Sequence, residues 1–219
     1  MCKRVVSIGA HCLDAELMGG PVLIKYAKEG AHCTFVHLTR GERGNAKKSP
    51  EIYGVQLEKE MQAVAKKMGC DAYWLGYPAG NLPEMDAMVR DLTDYLRKEK
   101  VDLVITHNRG SLHARHIACH DVSVSAVNRL RKEGYKIDLY FGENCEDLVG
   151  FIPQIYVPVS KEEHALWYEG LREYELFRGG VLSVPYDDYY AISLKVRGLE
   201  IGVSSAKAYM LAAVCLDNL

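Results

Sequence analysis

The sequence has no cysteine pair at metal-finger spacing, no long apolar run and almost no net charge, and each lack removes a class of protein. The seven cysteines (Cys2, Cys12, Cys33, Cys70, Cys119, Cys145 and Cys215) are odd in number, widely spaced and contain no CxxC. That excludes a disulfide framework and a cysteine-rich zinc module and leaves them read mainly as small buried hydrophobes. No apolar stretch approaches the roughly 20 residues of a bilayer span. The basic start Met1–Arg4 and the short run Val5–Gly9 break at His11 and Asp14 without a signal-like apolar region. A cytoplasmic protein without a membrane partner is the default expectation. The formal charge of -2 argues against a nucleic-acid partner, which needs a basic footprint. Repeats and low-complexity segments are absent. Gly9, Gly19 and Gly20 do not make a GxGxxG dinucleotide fingerprint.

What is there is enough apolar material for a sizeable core, 48% of 219 residues, in apolar runs that alternate with helix-length segments. Residues 4–9 read as a buried strand and Asp14 to Glu29 as a helix, irregular or closely packed at Gly19-Gly20-Pro21 and stopped by Gly30. A strand over 31–38, a helix over 52–68, a strand over 71–76, a helix over 84–98, a β-branched strand at 101–106, a helix over 112–132 and a strand over 135–141 follow. This alternation predicts parallel β-α-β units in an α/β three-layer sandwich with a mostly parallel, Rossmann-like sheet. Length predicts a single α/β domain over 1–219, with a less regular C-terminal elaboration from about 150. There the pattern predicts a strand at 151–158, a helix over 161–177, a hairpin or ordered loop over 179–202 and a short helix over 206–216.

In open parallel sheets ligands bind at the carboxyl ends of strands, and polar clusters follow two of these strands. The first is Gly9-Ala10-His11-Cys12-Leu13-Asp14-Ala15-Glu16; the second runs from His107-Asn108-Arg109-Gly110-Ser111 into Leu112-His113-Ala114-Arg115-His116. His11 and Asp14 flank a strand-to-helix turn, and His113 and His116, three apart, can face one way. Two imidazoles and a carboxylate with an open position are the usual arrangement of a catalytic zinc site. The plain alternative is N-capping and surface polarity, Asp14 in particular being placed to cap the helix it opens.

The segment Gly9–Glu16 together with His113-Ala114-Arg115-His116 resembles the PIG-L/LmbE-like family of zinc-dependent N-deacetylases, whose motifs are His-Pro-Asp-Asp-x-Glu and His-Pro-Asp-His. The resemblance implies that His11, Asp14 and His116 bind Zn2+ or another divalent metal. It further implies that His113 is the catalytic histidine that stabilises the oxyanion or protonates the leaving amine. It also leaves a homo-oligomer open. The departures carry as much information. The aspartate that serves the family as general base is Leu13 here, the motif proline is Cys12, and the aspartate beside the metal histidine is Arg115. A guanidinium there disfavours a protonated His113. Leu57 and Ala79 stand where family members often carry sugar-contacting arginine and aspartate, each loss removing a charge-assisted contact.

Glu16, Glu42 and Cys12 are the conceivable substitute groups, better read as structural, as solvated or packing-related and as inert in turn, and Cys119 and His120 are placed to support the site or pack in the core or at the surface. His32, His37 and His164 read as solvated or hydrogen-bonded, with His107 the one placed to reach a pocket. The leading expectation is a metal-dependent hydrolase of an N-acyl, N-acetyl-sugar-like amide acting on a small-molecule substrate, because zinc itself supplies much of the water activation. The alternative is a catalytically impaired metal-binding member with a binding or structural role, and a third reading is a small-ligand module without metal.

Overall fold

A computed structural model describes residues 3–212. The chain opens with β1 (Arg4–Gly9), α1 (Asp14–Lys28), β2 (His32–Thr39), α2 (Pro50–Lys67), β3 (Asp71–Tyr77), α3 (Met85–Glu99), β4 (Leu103–His107), α4 (Ala114–Lys132) and β5 (Asp138–Gly142). It continues with β6 (Ile155–Pro158), α5 (Lys161–Leu171), α6 (Tyr186–Glu200) and β7 (Ala206–Leu211). The seven strands form one sheet in the order β3-β2-β1-β4-β5-β7-β6. Strands β1 to β5 run parallel, while β7 lies antiparallel to both β5 and β6. This is the α/β, mostly parallel, Rossmann-like arrangement that the alternation predicts.

Helices cover both faces because the central strands are apolar on both sides. Val5, Phe35, Leu103 and Ile105 face α1, α2, α5 and α6, and Val6, Ile8, Val36 and Val104 face α3 and α4. Helix α1 is nearly all buried over Asp14–Ile24 and continues through Pro21. A Cβ on its Gly20 would lie 2.3 Å from the Trp167 indole nitrogen, so glycine permits α5 to pack directly on α1.

Two expectations for the C-terminal third are corrected. Ala206–Leu211, expected as the start of a helix, is β7, because it can pair with β5 on one side and β6 on the other; residues 213–216 of that expected helix lie outside the described residues. The expected hairpin or loop over 179–202 contains α6, which buries Tyr190, Leu194 and Gly198. Helix α5 ends at Leu171, well before residue 177. No helix among the described residues is long and apolar enough to cross a membrane.

The order of strands fixes where a site can lie. From β1 the chain winds outward to β2 and β3, then returns to β4 beside β1 and winds the other way to β5. The crevice at the carboxyl ends of β1 and β4 is therefore the topological switch point, where the loops diverge and leave a ligand-sized opening.

Candidate metal centre

At the end of β1 the chain turns sharply into α1. Gly9 is required there, since a Cβ would lie 2.6 Å from the Ala15 nitrogen and 2.8 Å from Asp14 Cβ. The helix N-cap is Leu13, which makes no side-chain capping bond. Asp14 therefore does not cap α1. Its Oδ2 instead accepts the His11 backbone N–H at 2.9 Å and faces His11 Nδ1 at 3.2 Å. Its Oδ1 is approached by the Asn144 amide at 3.5 Å.

The second cluster arrives from β4 and α4. His113 is the N-cap of α4, and its Nδ1 accepts the Arg115 backbone N–H at 3.3 Å. That bond requires a lone pair on Nδ1, so a neutral His113 carries its proton on Nε2. Burial and then the neighbouring His116 and His11 push the His113 pKa down to about 4, with Arg115 adding to the effect. His116, one turn into α4, points Nε2 at Asp14 Oδ2, 3.5 Å away. The His113 ring stacks on that of His116 with centroids 4.5 Å apart and meets the His11 ring edge-on at 5.0 Å.

Behind these residues lies Asp147, which sequence reasoning missed. Fully buried in the loop after β5, it receives His116 Nδ1 at 2.8 Å on one oxygen and His107 Nδ1 at 2.6 Å on the other. Burial works against its charge, but the hydrogen bonds from His107 and His116 outweigh it and hold the Asp147 carboxyl down to about 2. The same balance operates at Asp14, where burial is outweighed by His116, His107 and His11 and the pKa falls well below the usual carboxylate range. His107 Nε2 accepts the Ala10 N–H at 3.0 Å, which ties the end of β4 to the turn after β1. His120 Nδ1 bonds the His107 carbonyl at 2.8 Å.

The donor set suits a divalent cation. One ligand atom each from His11, Asp14 and His116 lies within 4.8 Å of the others, a two-imidazole, one-carboxylate set of the kind zinc takes. With Nδ1 occupied by Asp147, His116 presents its Nε2 lone pair to that point, the carboxylate–histidine pairing that orients metal ligands. His107, His116 and Asp147 also converge, but both imidazoles already spend Nδ1 on the carboxylate, so this set braces the first.

A cavity of about 420 Å³ opens over the cluster, lined by His11, Leu13, Asp14, His113 and His116 on its floor. Leu57, Tyr53, Leu176, Leu182 and Tyr186 add an apolar wall. Leu13 is 3% exposed and has φ 85°, a backbone conformation costly for a branched side chain. Glu146 lines the cavity too, with Oε2 3.8 Å from His116 Nε2. The signal for Asn144, Glu146 and Asp147 was the polar run Glu143–Asp147 after β5, a third strand end beside the two that the motifs mark.

The remaining candidates fall outside the cavity or serve its walls. Glu16 is fully buried, bonded to His37 and to the Tyr174 hydroxyl. Glu42 is buried and accepts the Ala79 N–H at 2.7 Å, joining the loops after β2 and β3. Cys12 lines the cavity, but burial and then Glu16 push its thiol well above the usual range, which makes it inert. Cys119 is in the core beneath Ile8, and His32 is exposed.

The profile of the family described as PIG-L, GlcNAc-PI de-N-acetylase, matches residues 6–127. The 1D-myo-inositol 2-acetamido-2-deoxy-alpha-D-glucopyranoside deacetylase of Acidothermus cellulolyticus is 26% identical over 162 residues, 60% of this chain and 55% of that protein. The chain spans about half the length of the curated relatives it matches. Among solved structures, the 4-carboxy-2-hydroxymuconate hydratase GalB of Pseudomonas putida KT2440 superposes with TM-score 0.83 at 16% identity, covering 100% of both chains. The N,N'-diacetylchitobiose deacetylase of Pyrococcus horikoshii does so with TM-score 0.79 at 18% identity, covering 96% of this chain and 84% of that one. At these identities the structural likeness establishes the fold.

Proposed function

The chain belongs to the PIG-L, GlcNAc-PI de-N-acetylase family, and from that premise we propose that it is a divalent-metal-dependent hydrolase of a small N-acyl amine. The convergence of His11, Asp14 and His116 under an open cavity is the observation that carries this reading. These three residues hold the cation, with zinc the metal their chemistry favours. When bound, the cation supplies a Lewis acid for the acyl carbonyl and lowers the pKa of water.

The chain's own groups do the rest. His113 donates Nε2–H to the carbonyl oxygen as it becomes negative, a role that fits the tautomer set by its Nδ1 bond to the Arg115 N–H. A neutral His113 with that tautomer has no spare proton for the leaving amine. Leu13 cannot accept a proton, so the base is Glu146, whose carboxylate faces the cavity near His116. It takes a proton from the attacking water and returns it to the departing amine; the acid so formed then gives its own proton to the amine, leaving a carboxylate and an ammonium as products.

The test is stoichiometric metal in the purified protein together with release of amine from a panel of N-acetyl amines, abolished in His11→Ala. Metal without turnover on any of the panel would overturn the hydrolase and leave the second reading, a metal-holding protein without hydrolase activity. That second reading is favoured by one observation, the apolar Leu13 at the place of the family base. Leu13→Asp separates the two. A general base contributes about 10²–10⁴-fold, and if the surrounding machinery is intact the hydrolysis rate rises into that range. An unchanged rate would mean that position 13 is not the defect.

A further inference from the structure

The charges around the cavity do not balance. Asp14 faces His116 Nε2 at 3.5 Å and serves the cation, while Glu146, 3.8 Å from the same nitrogen, is taken up as the base. Three arginines, Arg40, Arg43 and Arg115, also line the cavity. Arg40 is committed, pairing with Glu58 at 3.2 Å and stacking on Trp74. Arg43 and Arg115 form no ion pair or side-chain hydrogen bond with a carboxylate among the described residues, although the Arg43 charge is felt by the exposed Glu51. Arg115 is half-buried in the first turn of α4. A cation there faces the positive end of the helix dipole, and no acidic residue in that turn offsets it. Arg43 lies on the loop after β2 with its guanidinium against Gly80, where a Cβ would meet Arg43 Cζ at 2.3 Å.

A half-buried, unpaired Arg115 beside an imidazole cluster built for a cation is costly unless something negative enters with the ligand, and Arg43, exposed but lining the same cavity, can add a second guanidinium. Leu57, Leu176 and Leu182 also line the cavity, and their side chains offer nothing to a ring of hydroxyl groups. We infer that the ligand of this cavity carries an anionic oxygen group, a carboxylate or a phosphate monoester, read by Arg115 and Arg43, together with an apolar portion against the leucine wall. Guanidinium binds either group through parallel N–H donors. This rests on the cavity being the substrate site of the proposed hydrolase and narrows its substrate to an acidic N-acyl amine.

Titration calorimetry of metal-analysed protein with two probe pairs tests it. N-acetylleucine against N-acetylleucinamide isolates a carboxylate on an apolar frame. N-acetylglucosamine 6-phosphate against N-acetylglucosamine isolates a phosphate. The acid of at least one pair is expected to bind roughly tenfold or more tightly than its neutral partner, the range of a hydrogen bond to a charged group, and the pair that shows it identifies the group. The preference should fall towards unity in Arg115→Gln and, separately, in the loop variant Arg43→Gln, with metal content unchanged. No preference in either pair, including failure of all four probes to bind, overturns the inference. So does a preference that survives both substitutions, which would place the anion on the metal alone. Anion preference without amide hydrolysis would sink the hydrolase and leave this inference standing; hydrolysis without anion preference would do the reverse.

Discussion

Two buried histidine–carboxylate clusters reach α1 two residues apart, at Asp14 and at Glu16, and only the first opens on the cavity. In the first, Asp147 holds His107 and His116, and His116 turns its remaining nitrogen towards Asp14 and the cavity. In the second, Glu16 holds His37 with both oxygens at 3.1 Å and receives the Tyr174 hydroxyl at 2.9 Å. Glu16 and His37 are both 0% exposed. The chemical parts are the same. What differs is whether a cavity reaches the remaining imidazole nitrogen: His37 Nδ1 is buried without a partner, whereas His116 Nε2 faces Asp14 and the cavity. A sealed cluster can only brace, whereas one with a free imidazole nitrogen at a strand end can coordinate.

The largest effect should come from the sealed cluster. Glu16→Ala strands His37 and the Tyr174 hydroxyl in the core, where removing one partner of a buried pair costs about 3–5 kcal/mol. Urea unfolding of the metal-free protein should register that loss, while the folded fraction keeps one metal per chain. Full stability in Glu16→Ala would mean that the sealed cluster braces nothing, and lost metal in the folded fraction would mean that the two clusters are one.

Asp147→Asn acts on the open cluster in the opposite sense. The amide retains one acceptor oxygen, so the core suffers less, but His116 loses a charged partner for its Nδ1–H. Metal affinity should fall about 10–100-fold, the usual consequence of removing such a partner, as measured by competition with a chelating dye. An affinity within a factor of two of the parent would show that His116 is oriented by packing against His107 and His113 alone.

The open cluster was partly legible in the sequence and the sealed one was not. Buried parallel strands read as continuous apolar runs, so β1 and β4 could be placed and with them His11, Asp14, His113 and His116 at their carboxyl ends. Asp147 belongs to no motif and lies 31 residues from His116, so only the fold brings it in. Ala206–Leu211 contains good helix formers, yet β7 exists because β5 and β6 flank it, and pairing overrides local preference. Tyr186–Glu200 opens with a cluster of tyrosines beside Pro185 that suits a loop; burial of Tyr190 and Leu194 makes it α6 instead. At position 13 the residue type showed that the family base is missing. Only the backbone shows that the turn holds this leucine at a φ of 85°, a positive value that is costly for a branched side chain.

That turn is where the two clusters meet. The Tyr174 hydroxyl donates to Glu16 at 2.9 Å and lies beside the Leu13 backbone. The sealed cluster thus borders Leu13, whose conformation costs about 1–3 kcal/mol for a non-glycine residue. Tyr174→Phe cuts this link while keeping the ring in the core, and the smallest of the three effects follows, a stability loss of about 1 kcal/mol from one net hydrogen bond. Its more telling readout is local. Without the hydroxyl the Leu13 peptide is free to leave its strained geometry, so amide hydrogen exchange at Leu13 and Asp14 should accelerate more than at Val5 or Val104 in the sheet. If exchange rises evenly over all four positions, the tyrosine contributes only to global stability, and the strained turn is held by the packing of Leu13 itself.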